Sequence, residues 1–182
     1  LMMDIKVLGI DLAKNKFELC GVDSSVKAVL RKTLDRSKLA AFIQRLAVCL
    51  IGMEACGGAH YWANKFQSFG HVVRLMNPQY VKAYVKANKN DRNDAEGVCE
   101  AVSRPTMRFV AIKSAGQQDI QSIHRVRAGL VRRRTVLTNQ IRGLLMEYGL
   151  IIPQGISVLF RTLPGILEGA ENGLTVLMRE LI

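Results

Sequence analysis

The first half of the chain alternates short apolar runs with polar turns, the pattern of a sheet with helices packed on it. Five apolar runs predict strands, and they cover residues 6–12, 17–22, 26–33, 48–53 and 72–76. Four helices are predicted, over residues 38–46, 59–69, from Pro78 and over 91–103. Because three strands precede the alternating helices and strands, we predict an α/β fold with a mixed five-stranded sheet and flanking helices.

The second half of the chain has a helical pattern. Apolar residues recur at three- and four-residue steps over 115–148, which predicts one long helix or two with a bend near Gly129. After a break at a proline and a glycine, residues 157–182 return to a weaker helical pattern. We therefore predict a sheet domain over residues 1–112 and a helical, coiled-coil region over 113–182, which we expect to be truncated.

The charge of the chain points to a polyanionic partner. Its 26 Lys and Arg residues against 15 Asp and Glu residues give a net charge of +11, and nucleic acid is the first candidate partner for such a protein. The excess of positive charge is concentrated in the long predicted helix. The alternative to nucleic-acid binding there is a basic helix face that is merely solvated. The predicted nucleic-acid contacts there are Arg125, Arg127, Arg132, Arg133, Arg134 and Arg142.

Targeting signals and metal-binding cysteine motifs are missing from the pattern. No basic segment followed by an apolar one opens the sequence, and no apolar run approaches the roughly 20 residues of a membrane span. The four cysteines show no zinc-ligand spacing with the three histidines. We expect a cytoplasmic protein with reduced thiols and no membrane partner.

Four acidic residues stand where acids are unexpected or close together. Asp11 and Glu54 each close an apolar run, where a carboxylate is costly to desolvate unless something compensates it. Asp91 and Asp94 lie three residues apart at the start of a predicted helix and so share a face. Hard oxygen ligands of this kind suit Mg²⁺ or Mn²⁺. We hypothesise a metal-dependent nuclease-type site, against the alternative of helix-start and turn-capping acids.

Lysines flank these acids on both sides. Lys82, Lys86 and Lys89 are spaced to share one helix face, and Lys14 follows Asp11 by three residues. We predict that these four lysines contact incoming phosphates and screen them from the carboxylates.

With these residues in place, the sequence resembles the DEDD insertion-sequence transposases, a family that includes the Piv-type DNA invertase and bridge-RNA-guided recombinases. The resemblance runs from about Ile5 to the end of the chain. The matching motifs are Gly9-Ile10-Asp11-Leu12-Ala13-Lys14, Gly52-Met53-Glu54-Ala55, Asn77-Pro78, Lys89-Asn90-Asp91 with Asp94-Ala95-Glu96, His124-Arg125-Val126-Arg127 and Asn139-Gln140-Ile141-Arg142.

The resemblance implies a ribonuclease H-like, RuvC-like domain in which Asp11, Glu54, Asp91 and Asp94 are the catalytic metal ligands. It implies metal-dependent DNA cleavage and strand transfer, with a serine nucleophile on a C-terminal domain that we expect to lie outside this chain. No serine of this sequence is therefore named as the nucleophile. DNA, a guide RNA and a second copy of the chain, in a dimer or tetramer, are the implied partners.

Three other interpretations stay open. A RuvC-type structure-specific endonuclease also uses four acids, although the arginine-rich helix suits it poorly. A non-catalytic fragment that binds RNA or DNA and dimerises would share the basic helix. An actin-like or sugar-kinase-like ATPase would also open with a Gly-Ile-Asp strand, but Leu12-Ala13-Lys14 is not its small-residue phosphate loop.

Overall fold

The computed structural model describes residues 4–84 and 91–182, apart from the side chains of residues 91–93. Its strands are Val7–Asp11 (β1), Lys16–Val22 (β2), Ala28–Asp35 (β3), Leu50–Glu54 (β4), Val72–Met76 (β5) and Phe109–Val110 (β6). Its helices are Arg36–Gln44 (α1), Ala59–Ser68 (α2), Pro78–Val81 (α3), Asp91–Val102 (α4), Ala115–Met146 (α5), Ile156–Glu168 (α6) and Val176–Leu181 (α7), with a 3₁₀ turn at Lys82–Tyr84. The chain forms two compact units, Leu1–Gly116 and Gln117–Ile182.

The strands that the structure describes form one mixed sheet in the order β3-β2-β1-β4-β5-β6. β1 pairs in parallel with β4, and β4 pairs in parallel with β5, while the remaining pairs are antiparallel. The predicted α/β fold class is confirmed. The sheet has one strand more than we predicted because Phe109–Val110 pairs with the end of β5, and two residues are too few to show a strand period.

One face of the sheet carries the main apolar core. Leu8 and Ile10 of β1 point to this face, where side chains of α1 and α2 cover them. Trp62 and Phe66 of α2 are buried there and stack at a centroid distance of 5.5 Å. Because side chains alternate along a strand, the neighbouring positions of β1 face the opposite layer.

That opposite layer is α4, which lies directly on two glycines. Gly9 of β1 and Gly52 of β4 are paired across the sheet. A Cβ atom on Gly9 would lie 2.7 Å from the backbone nitrogen of Cys99, and one on Gly52 would lie 2.7 Å from Cβ of Val102. Only glycine therefore leaves room for the α4 backbone at position 9 and for the Val102 side chain at position 52.

The direction of α4 follows from two contacts with β1. The carbonyl of Ala95 faces Gly9, while the thiol of Cys99, one helical turn later, donates to the carbonyl of Val7 at 3.6 Å. The helix thus runs opposite to β1, and its first turn lies at the carboxyl end of that strand.

The second unit is helical, and its core is small. α5 continues through Gly129 as one helix, so the alternative of two helices with a bend is not what the chain adopts. Leu145, Ile152, Leu159 and Leu174 form the buried core of this unit. In the part of the chain that the structure describes, we find no helix with the length and apolar character to cross a bilayer.

Candidate functional site

The two strand-end acids lie side by side at one edge of the sheet. Ile10 of β1 pairs in parallel with Met53 of β4, so Asp11 and Glu54 follow at neighbouring carboxyl ends. Each acid comes two residues after a glycine that contacts α4, and side chains two apart in a strand share a face. Both half-buried acids are therefore on the α4 side of the sheet.

Both carboxylates affect the pKa of a nearby thiol. Cys56 lies in the loop that follows β4. Burial, and then the negative charges of Glu54 and Asp11, raise the pKa of the Cys56 thiol. Because one thiol responds to two carboxylates from different strands, the two acids share one local electrostatic environment.

α4 brings its first turn to the same edge. Asp94 is half-buried and precedes Ala95, whose carbonyl faces Gly9 two residues before Asp11. The helix begins at Asp91, but the side chain of Asp91 lies outside the described residues. Among the side chains that the structure describes, no three His, Cys, Asp or Glu are grouped so that they could hold a metal ion. The four-acid metal site therefore stays a prediction.

Glu18 is a further acid at this edge of the sheet, and it was not predicted from the sequence. Glu18 of β2 pairs with Asp11 across the antiparallel β1–β2 ladder and so lies on the α4 side. The hydroxyl of Thr33 on β3 donates toward both Glu18 carboxylate oxygens, at 2.8 and 3.0 Å. The one sequence signal was its position between the inward-facing residues Phe17 and Leu19.

The cations predicted near the acids are only partly within the described residues. Lys14 is exposed in the loop after β1, and its carbonyl accepts from Nη1 of Arg36 at 3.3 Å. Lys82 is exposed in the 3₁₀ turn after α3, whereas Lys86 and Lys89 lie outside the described residues. Arg36, which the sequence did not single out, is a further cation near that loop and lies over the Trp62 ring at 5.3 Å.

The predicted arginines of α5 divide into two groups. Arg125, Arg127, Arg132, Arg133 and Arg134 are exposed. Arg142 is half-buried and donates to Oδ1 of Asn139 at 3.1 Å and to the carbonyl of Gly155 at 2.8 Å. The Arg142 guanidinium thus joins α5 to the segment that opens α6, and a nucleic-acid contact there would compete with these bonds.

The sheet order, the two acids at neighbouring strand ends and the acid-bearing helix across them define a ribonuclease H-like domain. A family model described as a transposase, of the DEDD IS110 type, matches residues 8–150. The chain therefore belongs to the DEDD transposases of insertion sequences.

Curated relatives agree with this family. The chain is 54% identical over 149 residues to a probable family 20 transposase of Pseudomonas aeruginosa, an alignment that covers 82% of this chain and 44% of the relative. It is 45% identical over 181 residues to the transposase for insertion sequence element IS1111A of Coxiella burnetii, covering 100% of this chain and 50% of the relative. A transposase for element IS1328 of Yersinia enterocolitica is 42% identical, with 88% and 48% covered. The chain thus spans about half the length of the curated relatives it matches.

Proposed function

We propose that this chain supplies the metal-dependent, DNA-binding half of an insertion-sequence transposase. The observation that carries the proposal is the repeated Gly-apolar-acid pattern at the ends of β1 and β4. Its two glycines admit α4, and its two acids then lie on the side of the sheet where the first turn of α4 begins.

The donor set of this edge fits a hard divalent cation. Asp11 and Glu54 present carboxylates from neighbouring strands, and Asp91 with Asp94 would complete the set from α4. Bound Mg²⁺ or Mn²⁺ would polarise a phosphodiester oxygen and stabilise the charge that develops during strand cleavage. The carboxylates themselves would hold the cation in place at this edge of the sheet.

Basic residues would bring the DNA backbone to this edge. Lys14, Lys82, Lys86 and Lys89 would offset the repulsion between the acids and an approaching phosphate. The exposed arginines of α5 would add contacts to the phosphate backbone that do not depend on base sequence. DNA is the polyanion that the transposase family favours, and a guide RNA would be held by the same kind of contact.

The cleavage step we propose uses a serine. By the family resemblance, that serine belongs to a C-terminal domain, and its hydroxyl oxygen would attack phosphorus and displace one end of the strand. The role of this chain's acids is then to position the phosphate for attack.

α5 would also supply contacts between copies of the chain in a dimer or tetramer. Large apolar side chains are exposed along this helix, including Ile123, Leu130 and Leu137 at seven-residue spacing.

Titration calorimetry with Mn²⁺ tests the metal site. We expect measurable binding to the wild type and at least tenfold weaker binding to Asp11→Asn and to Glu54→Gln. The matched control is Asp35→Asn, since Asp35 also ends a strand but its carboxylate forms an exposed ion pair with Lys38 at 3.7 Å.

Equal Mn²⁺ affinity in all four proteins would contradict the proposed ligands. No binding to the wild type, with affinity for duplex DNA intact, would favour the alternative of a nucleic-acid-binding and dimerisation module. That alternative rests on the exposed arginines and apolar residues of α5.

A further inference from the structure

Two buried thiols meet beneath α4, away from the acidic edge. Cys20 of β2 pairs with Gly9 of β1 in the antiparallel ladder, so both positions face α4. Cys99 lies on α4 above the same glycine. Cys20 is 2% exposed and Cys99 is 3% exposed.

The missing side chain of Gly9 is what brings these thiols together. A Cβ atom on Gly9 would lie 2.9 Å from Cβ of Cys99, so Cys99 fills the space that a larger residue would take. Facing Cβ atoms across an antiparallel pair are about 4.5–5.5 Å apart. Cys20 and Cys99 are thus both neighbours of this one position, and a disulfide between them requires their Cβ atoms to approach to roughly 3.5–4.5 Å.

The two thiols interact directly. The neighbouring Cys99 side chain lowers the pKa of the Cys20 thiol more than burial raises it. The same contact, together with burial, raises the pKa of Cys99. One sulfur of the pair is therefore the better nucleophile, and the other keeps its proton.

A surface cavity of about 580 Å³ is lined by both cysteines. Arg31 and Glu96 form an ion pair on its wall, and Tyr84 and Ser103 line it as well. Because the thiols themselves are almost fully covered, only a small oxidant can reach them through this cavity.

We propose that Cys20 and Cys99 form a peroxide-sensitive thiol pair that closes a reversible disulfide between β2 and α4. The Cys20 thiolate attacks one oxygen of hydrogen peroxide, the O–O bond breaks, and hydroxide leaves. The sulfur of Cys99 then attacks the Cys20 sulfenic acid, the S–S bond forms, the S–O bond breaks, and water leaves with the Cys99 proton. Two thiols are oxidised, and one peroxide is reduced to two waters.

The disulfide would fix α4 to the sheet. Cys99 lies two turns after Asp91, and its thiol already contacts the Val7 carbonyl at 3.6 Å. A covalent bond at this point would limit movement of the helix that bears Asp91 and Asp94. This thiol chemistry stands independently of the proposed metal site, since neither cysteine is among the proposed ligands.

Peptide mapping under native conditions tests the proposal. The reduced protein is treated with hydrogen peroxide, denatured with N-ethylmaleimide present, and digested with trypsin. Cys20 then lies in residues 17–27, Cys99 in residues 93–108, and both Cys49 and Cys56 in residues 46–65. We expect the first two peptides joined, with a mass lower by two hydrogen atoms than their sum, and separated again by dithiothreitol.

Variants separate this pair from the other thiols. Cys20→Ser and Cys99→Ser should abolish the joined peptide. The control Cys49→Ala removes a thiol that is also buried but contacts His71 instead, and it should leave the joined peptide unchanged. The proposal would be overturned if Cys20 and Cys99 were found blocked by maleimide after peroxide treatment. It would also be overturned if either cysteine were found joined to the peptide of residues 46–65.

Discussion

At the scale of single residues, Gly9 controls how closely α4 approaches the sheet. We expect Gly9→Ala to lower the free energy of unfolding by roughly 1–3 kcal/mol, because the new methyl group would lie 2.7 Å from the Cys99 backbone nitrogen. Urea denaturation measures this loss. The control is Gly129→Ala in α5, where a Cβ atom meets nothing within 4 Å and should stabilise the helix by about 0.5–1 kcal/mol. Similar effects of the two substitutions would contradict the close approach.

His71, just before β5, forms hydrogen bonds inside the core to α1 and to the residue that precedes β4. Its Nδ1 accepts from the Cys49 backbone at 3.3 Å, and its Nε2 donates to the Ile43 carbonyl at 3.1 Å, the tautomer that these partners require. His71→Leu would leave the buried Cys49 N–H without this acceptor, at a cost of about 1–3 kcal/mol, whereas the Ile43 carbonyl keeps the Leu46 N–H at 3.0 Å. We expect a lower urea midpoint for His71→Leu and an unchanged midpoint for the exposed control His124→Leu. A wild-type midpoint for His71→Leu would show that the bonds contribute nothing.

The positions of the two strand-end acids followed from the sequence more readily than the positions of their neighbours. Asp11 and Glu54 could be predicted because each ends an apolar run, a local signal. Glu18 could not, because its place beside Asp11 depends on strand pairing, which composition and periodicity do not show. The sequence does not distinguish Arg142 from the other arginines of α5, because its hydrogen bond to the Gly155 carbonyl depends on the fold.

At the scale of elements, α2 holds the segment that leads into α5. The Lys113 backbone nitrogen donates to Nδ1 of His60 at 3.2 Å, and Nδ2 of Asn64 donates to the Lys113 carbonyl at 2.9 Å. Burial, and then the charge of Lys113, lower the pKa of His60. The fold therefore favours the neutral imidazole, which is the form that accepts this bond.

This pKa shift predicts how stability depends on pH. A histidine whose folded pKa lies below its unfolded value of about 6.5 contributes stability above that pH. The contribution is lost as pH falls through the folded value. We expect thermal unfolding midpoints of the wild type to fall more steeply between about pH 7 and pH 5 than those of His60→Ala. His124→Ala should keep the wild-type slope, and parallel curves for wild type and His60→Ala would exclude the proposed linkage.

The type of the longer elements followed from periodicity, whereas their ends depended on packing. The prediction for β5 was correct at both ends because the turn at Gly70 precedes the strand and Asn77, which caps α3, follows it. The possible bend at Gly129 did not occur, since one glycine costs a helix only about 1 kcal/mol and α5 has 32 residues. The weak pattern after residue 156 contains two helices, α6 and α7, and Arg179 of α7 donates to the Gly169 carbonyl after α6 at 2.7 Å.

At the scale of the whole molecule, the net charge of +11 predicts binding to nucleic acid that weakens with salt. The exposed run Arg132-Arg133-Arg134 is the densest cationic stretch of α5. Successive residues of a helix point about 100° apart, so these three arginines cannot all face one duplex. We infer that one or two of them contact phosphates in any single complex.

Replacing all three arginines with glutamine tests this inference. The slope of log affinity for duplex DNA against log salt concentration should become shallower by about 1–2, since each phosphate contact contributes roughly 0.9. Fluorescence anisotropy over a series of salt concentrations measures the slope. The matched control replaces the same three residues with lysine, which keeps the charge and should keep the slope. If the glutamine variant kept the wild-type slope, the charge that binds DNA would lie on other residues, and Lys14 with Lys82 would be the next to replace.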